Sequence, residues 1–248
     1  MTVSPIDSMA QAAGYSMQDI FSACPDIMEQ LARQKPLSYD AFVSQIDRDL
    51  NKIISITESG RQHHYEKGED AITEHLIVQL KQKYPSVHHD AQNGGHCDIY
   101  IEVTGSSGDL YKWVMEAKLW NGFDYVYGGL EKQLLGSYAM GGSNNCKGGM
   151  IFYSKIERGA SYAMNEWETG LVTKSITVQN KSSDGLRFGT EHKLNGGSGA
   201  DFYVNHYCVD LFHAPTKAKL DKAAEEKRKR LEAKIRAELV SESAAQSK

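Results

Sequence analysis

The chain has 248 residues, of which 40% are hydrophobic and 24% charged, the balance of an ordinary soluble globular protein large enough for one big domain or a medium domain with appendages. Its formal net charge of −4 gives no overall basic footprint of the kind nucleic-acid binders usually carry, although metal-binding carboxylates add negative charge to any enzyme that uses them. No apolar run is long enough to span a bilayer, and residues 1–7 lack the basic-then-apolar pattern of a signal peptide.

The four cysteines (Cys24, Cys97, Cys146 and Cys208) are scattered, without zinc-ligand spacing, and read as reduced thiols of a cytoplasmic protein. From Ser16 to about Ser59 apolar residues recur at three- and four-residue steps (Ile20, Ile27, Leu31, Phe42, Ile46, Leu50, Ile53), with Pro25 and Pro36 as punctuation. This pattern predicts about three short helices, a helical appendage over residues 1–60. Gly68 then precedes a helix from Glu69 to about Lys83, which Pro85 ends. After the turn Asn93-Gly94-Gly95, Asp98 to Val103 alternates as a strand, with Ile99, Ile101 and Val103 on one face. The loop from Thr104 to Asp109 predicts a hairpin. The returning strand, Tyr111 to Trp120, puts Glu116 and Lys118 on one side, off the face formed by Tyr111, Trp113, Met115 and Ala117.

Further on, the sequence predicts a helix over Val126 to Ala139, a buried strand over Met150 to Tyr153, and strands near Leu171 to Val178 and Phe202 to Phe212. Residues 216–248 form a lysine-, arginine- and glutamate-rich helix and a polar tail, a solvated surface by its interspersed charges. The expected architecture is α/β, a mixed β-sheet flanked by helices.

The chemistry concentrates between Asp98 and Lys118. Hard cations such as Mg²⁺ take oxygen ligands, one or two carboxylates together with water and substrate phosphate. Asp98 and Glu116 could supply those carboxylates from neighbouring strands, and Lys118 could orient or deprotonate the attacking water or stabilise charge on phosphorus.

Asp98 followed by Glu116-Ala117-Lys118 on consecutive strands after a helix resembles the PD-(D/E)xK nuclease superfamily, whose core is the restriction-endonuclease-like fold. The resemblance covers Glu69 to Tyr153 and places the nuclease-like domain within residues 61–215. It implies a Mg²⁺-dependent hydrolase of phosphodiester bonds, with Mn²⁺ able to substitute, acting on DNA in bacterial or phage restriction, anti-phage defence or repair. It also implies an acidic metal ligand on the preceding helix. Of Glu69 and Glu74, Glu69 lies near the apolar stripe set by Ile72, Leu76, Ile77 and Leu80, and a carboxylate there needs a partner. The metal ligands expected are therefore Asp98, Glu116 and Glu69. Some members carry Gln-x-x-x-Tyr on the next helix; Gln133 is carried over, whereas Tyr138 stands one residue too far and is left out. A homodimer or a larger complex would suit cleavage of both strands of a duplex. The rival readings are an RNase and a catalytically inactive scaffold subunit.

Overall fold

A computed structural model describes residues 12–24, 26–89, 91–92, 96–194, 199–214, 225–226 and 228–230. Residues up to Phe212 form one compact unit and residues 213–248 a second. The turn expected at 93–95 and most of the charged C-terminal segment lie outside the described residues. Within that segment, 225–226 and 228–230 are helical, and Lys229 pairs with Glu225 at 2.8 Å.

The N-terminal helices are α1 (Met17–Ala23), α2 (Ile27–Gln34) and α3 (Tyr39–Ser59). A capping box starts α1: the Ser16 hydroxyl accepts from the Asp19 amide at 3.1 Å while Asp19 accepts from the Ser16 amide at 2.7 Å. Ser38 caps α3 in the same manner, accepting from the Ala41 amide. The sequence reading placed residues 1–60 in an appendage, yet α3 lies in the main core. Phe42, Ile46, Leu50 and Ile54 are fully buried, in one cluster with Trp113, Met115 and Ile151 of the sheet. A helix whose apolar stripe runs for 21 residues can bury it only against a large partner.

Next come α4 (Glu69–Lys81), β1 (Val87–His88), the short pair β2 (Ala91–Gln92) and β3 (His96–Cys97), β4 (Ile99–Thr104), β5 (Leu110–Leu119), α5 (Phe123–Gly128) and a π-helix over Gly129–Tyr138. The chain finishes with β6 (Lys147–Ser154), α6 (Ala160–Thr173), β7 (Val178–Gln179), β8 (Arg187–Lys193) and β9 (Asp201–Asp210). Seven strands form one mixed sheet in the order β1-β4-β5-β6-β9-β8-β7, with β5, β6 and β9 parallel and the outer pairings antiparallel. Both faces are covered. The buried set containing α3 and α4 packs with one face, and the set containing the π-helix and α6 packs with the other. Among the described residues no helix is long and apolar enough to cross a membrane.

The strand expected over Leu171 to Val178 is corrected: α6 continues to Thr173 and only Val178–Gln179 pair as a strand. Ala160, Ala163, Met164, Trp167 and Leu171 are buried at helical steps, so packing of that stripe overrides the β-branched run that follows.

Candidate functional site

Strand β5 outruns its antiparallel partner. Pairing with β4 stops at Ile99 and Met115, so β5 continues to Leu119 with its β4-side edge open. Two carboxylates fill that notch. Asp98, just before β4, accepts the Ala117 amide at 2.8 Å, and Glu69, the first residue of α4, accepts the Leu119 amide at 2.5 Å. Alternate amides of an unpaired strand edge need acceptors, and the two acids supply them. On its opposite edge β5 pairs in parallel with β6.

Glu116 and Lys118 project from one face of β5, as the alternation requires. That face is interior as well: Val114 and Trp120 on it are buried, Glu116 is fully buried and Lys118 is 9% exposed. Lys118 lies off the face of Tyr111, Trp113, Met115 and Ala117, as the alternation predicts, but its own face is not open, because the π-helix covers it. A methyl group added at Gly129 would lie 3.0 Å from Lys118 Cε and 3.4 Å from Glu116 Cγ, so only a residue without a side chain lets the helix come this close. The Lys118 ammonium contacts Glu116 Oε1 and reaches Glu69 Oε1 at 3.4 Å. Asp98, Glu116, Glu69 and Lys118 thus converge at the notch.

Their electrostatics follow from burial and mutual charge. Burial, reinforced by the Asp98 carboxylate and opposed by Lys118, pushes Glu116 up to about 8. Asp98 is also raised by burial, against the Ala117 amide, Lys118, His89 and a hydrogen bond with Glu116. The proton that Glu116 retains is the one that can join the two carboxyls. Burial works against the charge of Lys118, but contact with Glu116 and the proximity of Glu69 and Asp98 outweigh it and hold the ammonium protonated.

Both oxygens of Glu116 are shielded from water, and its neighbours there are the Lys118 ammonium at Oε1 and the Asp98 carboxyl. A buried carboxylate is costly unless a cation compensates it, and here the Lys118 ammonium does so. The three carboxylates are hard oxygen donors, the chemistry that Mg²⁺ or Mn²⁺ takes. Among the described residues no three His, Cys, Asp or Glu side chains are gathered as a ready metal-ligand group; the Lys118 ammonium itself bridges Glu69 and Glu116.

Gln133 is half-buried on the π-helix. Tyr138, omitted by the sequence reading, belongs to the same neighbourhood. Its hydroxyl is pushed up to about 12 by burial and by the charges of Glu116 and Asp98, eased by a hydrogen bond with Gln133. A π-helix repeats its hydrogen bonds at five residues, as the Ala139 amide shows by donating to the Leu134 carbonyl. The extra residue between Gln133 and Tyr138 is absorbed by that register. The five-residue spacing was the available signal. His89 was also missed; it sits within electrostatic reach of Asp98 and pairs with Glu74 at 3.1 Å.

Polar and aromatic side chains elsewhere on these elements have partners of their own. Glu102 accepts from the Tyr100 hydroxyl at 2.6 Å. Trp120 packs on Phe152, and Phe123 stacks on Tyr127 with ring centroids 5.2 Å apart. Lys147 pairs with Asp40 at 2.6 Å. No family model, curated protein or solved structure matches the chain.

Proposed function

We propose that this chain is a divalent-metal-dependent nuclease of the restriction-endonuclease-like class, hydrolysing phosphodiester bonds in DNA. The observation that carries the reading is the fully buried Glu116 gathered with Asp98, Glu69 and Lys118 at the open edge of β5. Asp98, Glu116 and Glu69 would hold Mg²⁺, with Mn²⁺ as substitute. The ion would polarise the phosphodiester and acidify a bound water.

The chain's own groups have separable roles. Asp98 and Glu69 each spend one oxygen on a β5 amide; their other oxygens, now turned to Glu116 and Lys118, would take the cation once those contacts give way. Lys118 stays protonated at neutral pH, so it serves as fixed positive charge for the pentacovalent phosphorus and does not take a proton. Gln133 and Tyr138, joined by a hydrogen bond on the π-helix, orient the nucleophile or substrate oxygens. The DNA substrate, the homodimer and a place in restriction, defence or repair come from the family resemblance.

One observation favours a second reading. Asp98 and Glu69 both cap open strand amides, a structural job sufficient to retain them in a non-catalytic binding subunit.

The test is incubation with supercoiled plasmid, linear DNA and total RNA in Mg²⁺, Mn²⁺ or EDTA. Cleavage of DNA that EDTA stops, and that Lys118→Ala and Glu116→Gln lower by about 10³-fold or more, is the expected result. Circular dichroism checks that each variant is folded. Undiminished cleavage by folded Lys118→Ala would sink the assignment. Cleavage of RNA alone selects the RNase, and no cleavage with no Mg²⁺ binding selects the scaffold.

A further inference from the structure

A second concavity of about 690 Å³ opens on the outer side of the π-helix, between that helix, the end of α6 and strand β8. Its size falls within the range of small-molecule sites, well above what an inorganic anion needs. Leu135, Ile176 and Leu194 give it an apolar wall, and Lys174, His192 and Glu191 are among its polar residues.

The polar groups are set up in a particular way. Trp167 Nε1 can only donate, and it does so to His206 Nδ1 at 3.1 Å. His206 Nε2 must then carry the proton and donate to Thr190 Oγ1 at 2.7 Å. The Thr190 hydroxyl in turn donates to His192 Nε2, also at 2.7 Å. The chain of bonds leaves His192 neutral, with its proton on Nδ1, at the edge of the cavity. Burial acts in the same direction, pushing His192 down to about 4. His192 therefore lines the cavity as an uncharged ring whose tautomer is fixed from the core.

Lys174 contributes the opposite kind of group. Among the described residues it joins no ion pair; its ammonium lies 5.1 Å from the centre of the Tyr127 ring. Lys193, also lining the cavity, is matched with Asp201. The two carboxylates present, Glu131 and Glu191, accept hydroxyls from Tyr127 and Tyr203 and keep lone pairs for further donors. A cation outside any ion pair among the described residues, an uncharged imidazole, an apolar wall and carboxylate acceptors together suit a flat apolar ring that bears both an anionic group and hydroxyl or amino donors.

We propose that this cavity binds a nucleoside monophosphate, with the phosphate on Lys174, the base against Leu135, Ile176 and Leu194, and sugar or amino donors on Glu131 and Glu191. The inference goes beyond the nuclease reading and does not depend on it, since binding needs neither Asp98 nor a metal.

Calorimetric titration of the full chain in EDTA with dAMP, adenosine or inorganic phosphate tests it. The expected result is saturable dAMP binding in the micromolar to low-millimolar range. Adenosine and inorganic phosphate should each bind at least about tenfold more weakly, since each lacks half of the recognised chemistry. Lys174→Glu, a change at an exposed side chain, should weaken dAMP by about tenfold or more, while Lys174→Arg retains it. Absence of dAMP binding up to about 10 mM, equal affinity for adenosine, or an unchanged affinity in Lys174→Glu would each overturn the proposal. Asp98→Ala is the control that separates the two sites: it should abolish cleavage and leave dAMP binding intact.

Discussion

Glu116 is the residue on which the site turns. Its pKa of about 8 when folded exceeds the ordinary glutamate value near 4.3, so between those limits the folded state holds a proton that the unfolded chain has released. Stability contributed this way is fully present below the unfolded value and is lost as pH rises toward 8. Glu116→Gln removes the titration. In EDTA, the melting temperature of Glu116→Gln relative to the wild-type chain should therefore climb from pH 5 to pH 8 and level off above. A difference that is flat with pH would show that Glu116 is ionised throughout. The same proton must leave when a cation binds, so metal affinity should rise with pH over the same window. The carboxylate, the lysine and their alternation were all legible in the sequence. The burial that changes their proton affinity was not, because it depends on a helix that packs from elsewhere.

At the scale of elements, the π-helix decides how the site is closed. Its first residue, Gly129, rests against the stems of Lys118 and Glu116, so Gly129→Ala forces the helix or the lysine to shift by a few tenths of an ångström. The expected cost is about 1–3 kcal/mol of stability, with weakened Mg²⁺ binding measured by calorimetry. If Gly129→Ala bound Mg²⁺ as tightly as the wild-type chain, the helix would not be what positions the pair. The π register also explains why a motif search keyed to α-helical spacing passes over Tyr138: one inserted residue rotates a side chain by about 100° in an α-helix, and a five-residue repeat brings it back. Helix α6 makes a related point. Its buried stripe from Ala160 to Leu171 was present in the sequence, but the β-branched residues beyond it suggested a strand, and contact with the sheet settled the matter.

At the scale of the molecule, α3 belongs to the same core as the strands that carry the site. Leu50→Ala should cost about 2–5 kcal/mol in urea unfolding, and removal of residues 1–60 should prevent cooperative folding. A truncated chain that still melted cooperatively would show that residues 1–60 are an appendage to a self-sufficient core. The sequence alone determined the alternation of β4 and β5, the positions of Asp98 ahead of β4 and of Glu116 and Lys118 along β5, and the helical side on which Glu69 lies, because strand and helix periods are local properties. Only the tertiary structure decided that β5 outruns β4, that Asp98 and Glu69 meet its open amides, that the π-helix brings Tyr138 back to the site, and that α3 is core. Each of those depends on which surfaces exclude water from one another across long sequence separations, and no local pattern carries that information.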